Sequence, residues 1–366
     1  IAVGGGAAGL VTAAGAAGLG ARVALVERHR MGGECLWTGC VPSKALLAAA
    51  RVAATTRDAA RYGIEVPHSS VNFGRVMAHV HGAQQAIAPH DSPARFRQLG
   101  VDVFQGTATF EDGWTHRVNG ETPSARHIVI ATGSRPAIPP IRGIETVPYL
   151  TNENVFEIDE LPASLVVLGG GAVGVELAQA FALLGSRVVL LESEPRILRA
   201  EDEEVADLLA ARLQQDGVVM HTAVSVQQVS RTQEGVAVAT SRGTFAAAAL
   251  LVAAGRRANT DTLDLERVGV KHDEHGVHVD AYLRTSVKRI WAAGDVTNAP
   301  RFTHVADYQA RLVLRNALFP GHKAVDYSSV PWAIYTQPEL ARVGLTETEA
   351  RARYGDAGIR VWRKAM

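Results

Sequence analysis

Two stretches of the chain repeat one pattern of apolar, glycine and polar positions. Ile1 to Glu27 (IAVGGGAAGLVTAAGAAGLGARVALVE) and Val166 to Glu192 (VVLGGGAVGVELAQAFALLGSRVVLLE) align without a gap at an offset of 165 residues. In each, an unbroken apolar run predicts a strand buried on both faces, a glycine cluster predicts a turn, an Ala/Leu-rich stretch predicts a helix, and a second apolar run ends in a glutamate. Between the copies, Val41 to Arg61 is alanine-rich and helical in pattern, and Gly74 to Leu99 predicts a further helix interrupted at Pro89 and Pro93. Ala125 to Gly133 and Ala246 to Gly255 each read as a buried strand ending in a turn, and Arg289 to Asp295 again runs apolar into Gly-Asp. The cluster Pro136, Pro139, Pro140 and Gly143 reads as a linker.

These elements predict an α/β chain with two Rossmann-like dinucleotide-binding domains and the start of an α+β domain. The expected boundaries are 1–142 for the first part of one nucleotide domain, 143–264 for the other, 265–329 for a return to the first, and 330–366 for the beginning of the third. Both ends read as the inside of a strand, Ile1 to Val3 and Ile359 to Trp362, so the chain is expected to be part of a longer one.

Composition narrows the partners. With 37 Lys plus Arg against 37 Asp plus Glu there is no net field to draw the chain to nucleic acid or an acidic membrane surface, so small molecules are expected. Two cysteines exclude a secreted disulfide framework, and no apolar run reaches the roughly 18 residues of a membrane span, which leaves the cytoplasm as the expected compartment.

The repeat carries chemistry. Gly4, Gly6 and Gly9 match Gly169, Gly171 and Gly174 in the spacing where the first glycine makes a tight turn, the second admits a pyrophosphate, and the third lets helix pack on strand. Glu27 and Glu192, each 18 residues after its third glycine, suit hydrogen bonding to ribose hydroxyls. Ordinary glycine turns are the alternative, but two full copies in register make coincidence a poor explanation, and two dinucleotides are expected. Cys35 and Cys40, in GGECLWTGCVPSK, lie five residues apart around Gly39 and just before a helix with Pro42 in its first turn. Two unrelated buried cysteines would satisfy the composition equally well. Their position behind the first glycine turn, and Cys40 at a helix N-terminus where thiol pKa falls, favour a redox dithiol.

Taken with ATGSRP (131–136), AAGRRAN (253–259), AAGDV (292–296) and QPELARVGLTETEA (337–350), these motifs resemble the pyridine nucleotide-disulfide oxidoreductases, in particular the mercuric reductase-like and dihydrolipoamide dehydrogenase-like members. The resemblance implies FAD at the first glycine turn, with Gly33, Thr132, Gly133, Gly294 and Asp295 around it, and a nicotinamide nucleotide at the second, with Gly255 beside it. It implies that Cys40 is the flavin-proximal thiol, that Cys35 meets the substrate, and that Lys44 pairs with Glu176. The implied activity is NAD(P)H-dependent reduction of a disulfide or metal-thiolate through FAD and the cysteine pair, by a homodimer when full length. An NAD(P)H oxidase or diaphorase, or a non-enzymatic flavin-binding redox sensor, is the competing expectation. Glu192 favours NAD over NADP, against which Arg196 and Arg199 stand a few residues downstream.

Three features depart from the resemblance. Trp37 stands between the cysteines where asparagine is usual, and packing is its expected role. The last histidine is His322, so the family's acid-base histidine is absent from these residues, as is a C-terminal cysteine pair. His29, His68, His79, His81 and His90 lack metal-ligand spacing, and no metal site is expected. His304, in FTHVADYQARL, is a further pocket candidate.

Overall fold

The computed structural model describes residues 1–112 and 115–364, which form two compact units. The first comprises Ile1–Ala45, Ala78–Ala137 and Arg256–Val325. Its centre is a five-stranded sheet in the order Ile290–Ala292, Ile128–Ile130, Ala2–Val3, Val23–Glu27, Val101–Gln105, parallel throughout. Parallel neighbours need a crossover, and helix Ala7–Gly18 supplies it between Ala2–Val3 and Val23–Glu27. The strands read as unbroken apolar runs because both sheet faces are covered; Ile128, Val129 and Ile130 are all buried. Helix Thr303–Leu318 packs against Ala7–Gly18, where a Cβ on Gly15 would come within 2.5 Å of Leu314 Cδ1.

The second unit comprises Leu46–Met77, Ile138–Gly255 and Asp326–Met366. It holds a four-stranded parallel sheet in the order Val218–His221, Arg187–Leu191, Ser164–Leu168, Ala249–Val252, and a three-stranded antiparallel sheet of Val226–Thr232, Gly235–Thr240 and Gly243–Ala247. Helix Ala172–Leu184 is buried from Gly174 to its end, which explains why its sequence lacks a polar stripe. Near the C-terminus, Pro331–Ile334 pairs antiparallel with Leu340–Val343, and helix Glu347–Tyr354 opens on a capping box of Thr346 and Glu349. This segment is tied into its unit by buried Gln179, which accepts from the Gln337 N–H at 2.7 Å and donates to its carbonyl at 2.8 Å.

The parallel α/β class predicted by the repeat is the one observed. Gly74 to Leu99 resolves into helix Phe73–Ile87, a 3₁₀ turn Ala88–Asp91 and helix Pro93–Gln98, the prolines falling in the first turns where a missing N–H costs nothing. One local expectation fails. Ile359–Trp362 is not a strand; no neighbouring strand meets it among the described residues, and Trp362 is 88% exposed. An apolar run becomes a strand only where another strand satisfies its N–H and C=O groups.

Candidate functional site

The two glycine turns fold alike, and their glycines are glycine for different reasons. Gly4 and Gly169 have φ of 113° and 108°, and a Cβ there would lie 2.3 and 2.4 Å from the carbonyl oxygens of Ala131 and Ala253. A Cβ on Gly9 would lie 1.7 Å from Gly4 O, and one on Gly174 1.9 Å from Gly169 O. The polypeptide itself therefore demands the first and third glycines. It does not demand the second. Gly6 and Gly171 have φ of −85° and −76°; a Cβ on Gly6 would meet nothing nearer than Gly33 Cα at 3.7 Å, and one on Gly171 nothing within 4 Å. Each is the N-cap of its helix without a side-chain cap, so the first helical N–H groups face open space that a Cβ would begin to fill. A dinucleotide diphosphate fits such a cradle. Gly33 is demanded by packing, since with φ of 58° its Cβ would lie 2.5 Å from Gly6 Cα.

Each repeat's acid clamps its own turn. Glu27 accepts from the N–H groups of Gly5 (2.6 Å) and His29 (2.7 Å), and Glu192 from those of Gly170 (2.5 Å) and Glu194 (2.8 Å). Both carboxylates are thereby held at the strand end beside the glycine loop. Arg196 donates to the carbonyls of Leu198, Arg199 and Glu201 at 2.9–3.0 Å, and Arg199 pairs with Glu194 at 2.8 Å.

In the first unit, the N–H of Gly294 donates to fully buried Gln309 Oε1 at 2.6 Å, which fixes the turn carrying Asp295. Asp295 accepts from Ser134 Oγ at 2.9 Å, Ser134 accepts from Arg256 Nε at 2.8 Å, and Arg256 pairs with Glu34. Burial pushes the Glu34 carboxyl up to about 7, against the pull of Arg256. Thr132 Oγ1 donates to Asn259 O at 2.7 Å and Asn259 Nδ2 returns a bond to Thr132 O at 2.9 Å, while Gly133 (φ 69°) turns the chain beside them. Gly255 has φ of 118°. In the second unit Glu176 is buried and accepts from the Tyr335 N–H at 2.8 Å.

Cys35 lies in the short helix Gly33–Trp37, and Cys40 opens helix Cys40–Arg57. Both are free thiols and hydrogen-bond each other. That bond is the main reason the Cys40 thiol is lowered to about 6 and the Cys35 thiol pushed up; Thr303, Lys44 and the backbone at the helix start lower Cys40 further, against burial. Cys40 is exposed at the start of its helix and Cys35 is half-buried. The shared proton thus resides on Cys35 and the charge on Cys40. Since the Cys40 pKa is depressed, its thiolate is present above about pH 6 and lost as pH falls through that value. Iodoacetamide alkylation of the reduced protein at Cys40 should fall about tenfold per pH unit below 6; a midpoint near 9 would contradict it.

Residues 1–310 match the family model described as pyridine nucleotide-disulphide oxidoreductase. The chain belongs to that family. It is 41% identical to a mercuric reductase of Streptomyces lividans, over 98% of this chain and 77% of that protein. It is 35% identical to a mercuric reductase of Staphylococcus aureus, over 91% and 62%, and so spans under two thirds of that protein's length. A dihydrolipoyl dehydrogenase of Bacillus subtilis (strain 168) is 33% identical over 98% and 79%. Among solved structures, the Cu(II) complex of the HOCl-induced flavoprotein disulfide reductase RclA from Escherichia coli superposes with a TM-score of 0.86 at 32% identity, covering 96% of this chain and 78% of that one. The chain is therefore a member of an FAD-dependent, NAD(P)H-linked flavoprotein family, similar to mercuric reductases and dihydrolipoyl dehydrogenases. No helix among the described residues is long and apolar enough to cross a membrane.

Trp37 has defined partners: its Nε1 donates to Met31 O at 2.8 Å, its carbonyl accepts from buried Gln84 at 2.7 Å, and the Arg30 guanidinium lies 4.4 Å from its ring. The packing role expected for it accounts for these contacts. His304 is exposed and stacks on Phe302 at 5.4 Å. Its neighbour Thr303, which sequence reasoning passed over, instead touches the site, Oγ1 standing 3.2 Å from Cys40 Sγ. Its one sequence signal was a hydroxyl residue at the start of a predicted helix.

Proposed function

We propose that this chain performs NAD(P)H-dependent reduction of a disulfide or metal-thiolate substrate through FAD and the Cys35–Cys40 pair. The observation that carries the reading is the pair of free thiols flanking a helix start, with Cys40 opening the helix and the Thr303 hydroxyl 3.2 Å from its sulfur; these surroundings lower the Cys40 thiol. Cys35 attacks one sulfur of the substrate disulfide; a mixed disulfide forms, one substrate thiolate leaves, and the Cys35 proton passes to that leaving thiolate. The Cys40 thiolate then attacks the Cys35 sulfur, the pair closes to a disulfide, and the second substrate thiolate departs. Two electrons have moved from the pair to the substrate. The residues that would hold FAD are Gly4, Gly6, Gly9 and Glu27 at the first glycine turn together with Asp295; when bound it would supply the two-electron chemistry that returns the pair to its dithiol. The Lys44–Glu176 ion pair and a homodimer belong to the same proposal and rest on the resemblance.

The decisive test is an anaerobic NADH titration of the purified flavoprotein. A long-wavelength thiolate-to-flavin band is the expected result; flavin reduction without one would favour the oxidase or sensor.

For the donor we propose NAD. Glu192 is held beside the second turn, where a 2′-phosphate would meet its charge, while Arg196 already donates to three carbonyls and Arg199 makes an exposed surface pair with Glu194. Glu192→Ala should cut the preference for NADH over NADPH, as the ratio of kcat/KM, by about tenfold or more. An unchanged ratio would remove Glu192 from donor selection.

A further inference from the structure

Thr303 Oγ1 is 3.2 Å from Cys40 Sγ although 263 residues separate them in sequence. Thr303 is the first residue of helix Thr303–Leu318, as Cys40 is of helix Cys40–Arg57, so two helix N-termini meet at one sulfur. The placement is rigid. Buried Gln309, on the same helix, accepts from the Gly294 N–H, and Leu314 seats against Gly15 on helix Ala7–Gly18. We propose that the Thr303 hydroxyl donates to the Cys40 sulfur and thereby strengthens the hold on the thiolate that Cys40 carries in the reduced pair. The proposal rests on the redox reading of that pair given above.

Two neutral side-chain donors then serve the Cys40 sulfur, the Cys35 S–H and the Thr303 O–H. Thr303 favours the charged form of either thiol, but a hydroxyl carries one proton and serves one acceptor at a time, and its Oγ1 stands 3.2 Å from Cys40 Sγ. The charged groups acting on the pair are Lys44 on the helix of Cys40, which favours the thiolate, Glu34 on the short helix of Cys35, which opposes it on Cys40, and Asp91 from the turn Ala88–Asp91, which opposes it on Cys35. These act through charge and are untouched by a change at Thr303. His304, the next residue, is turned to Phe302.

Thr303→Val keeps the shape and deletes the donor; Thr303→Ser restores it. The reduced proteins are titrated from pH 4.5 to 9 by thiolate absorbance, which needs no flavin, and by iodoacetamide labelling with the modified cysteine located by mass spectrometry. Loss of a hydrogen bond to a charged sulfur should raise the Cys40 midpoint by about one unit in the valine variant, slowing labelling of Cys40 about fivefold at pH 6. The serine variant should match the parent. Equal Cys40 midpoints in all three proteins would overturn the proposal, and so would a serine variant that behaves like valine. A parent protein with no thiolate below pH 8 would instead overturn the redox reading on which it stands. If the valine variant does not fold, Thr303→Ala compared with Thr303→Ser poses the same question.

Discussion

Cys40→Ser should reduce NADH-dependent disulfide reduction to background while leaving the protein folded and able to bind FAD. A serine hydroxyl can neither close a disulfide with Cys35 nor carry charge near neutral pH, so the second of the two thiol steps has no nucleophile. Cys40 is exposed at the start of its helix, where losing one sulfur opens no core cavity, so stability should barely change. The long-wavelength band should vanish with it. Cys35→Ser gives the complementary result: the Cys40 thiolate survives, with a higher pKa because its strongest hydrogen-bond donor is weakened, and the band persists without disulfide turnover. Anaerobic titration and steady-state assay of the two variants against the parent provide the comparison. Sustained disulfide turnover by Cys40→Ser would rule out the relay proposed here.

Gly174→Ala and Gly171→Ala should have opposite effects although they lie three residues apart in one motif. At Gly174 the new methyl would stand 1.9 Å from Gly169 O, a backbone atom in a strand-to-helix turn that cannot move aside, so the cost is about 3 kcal/mol or more. For a unit of this size that lowers Tm by about 6–12 °C, read by thermal unfolding. At Gly171 the methyl meets no protein atom within 4 Å and φ is −76°, so Tm should hold within about 2 °C while the affinity for NADH, by fluorescence titration, drops about tenfold or more. Gly9→Ala and Gly6→Ala should divide in the same way, with retained FAD as the second readout. If Gly171→Ala melts as early as Gly174→Ala, the second glycine serves the fold and the cradle argument is wrong.

Much of this was legible in the sequence because it is local. Strand, glycine turn, helix and acid occupy 27 contiguous residues in each copy, and the interactions that shape them, Glu27 to Gly5 and Glu192 to Gly170, close within 22 residues. The failure at Ile359–Trp362 has the opposite cause: its apolar pattern is local, but a strand's hydrogen bonds belong to a neighbour the described residues do not supply.

By itself, then, the sequence determined the parallel α/β class, the two nucleotide turns and the spacing of the cysteines, all consequences of backbone sterics and hydrophobic period over short spans. Only the tertiary structure decided which glycines the protein needs for itself, which carbonyls and carboxylates the arginines meet, and which distant hydroxyl stands at the Cys40 sulfur. Each of these depends on atoms distant in the chain, Ala131 O against Gly4 and Thr303 against Cys40, brought together by a sheet and a helix pair whose partners no local pattern names.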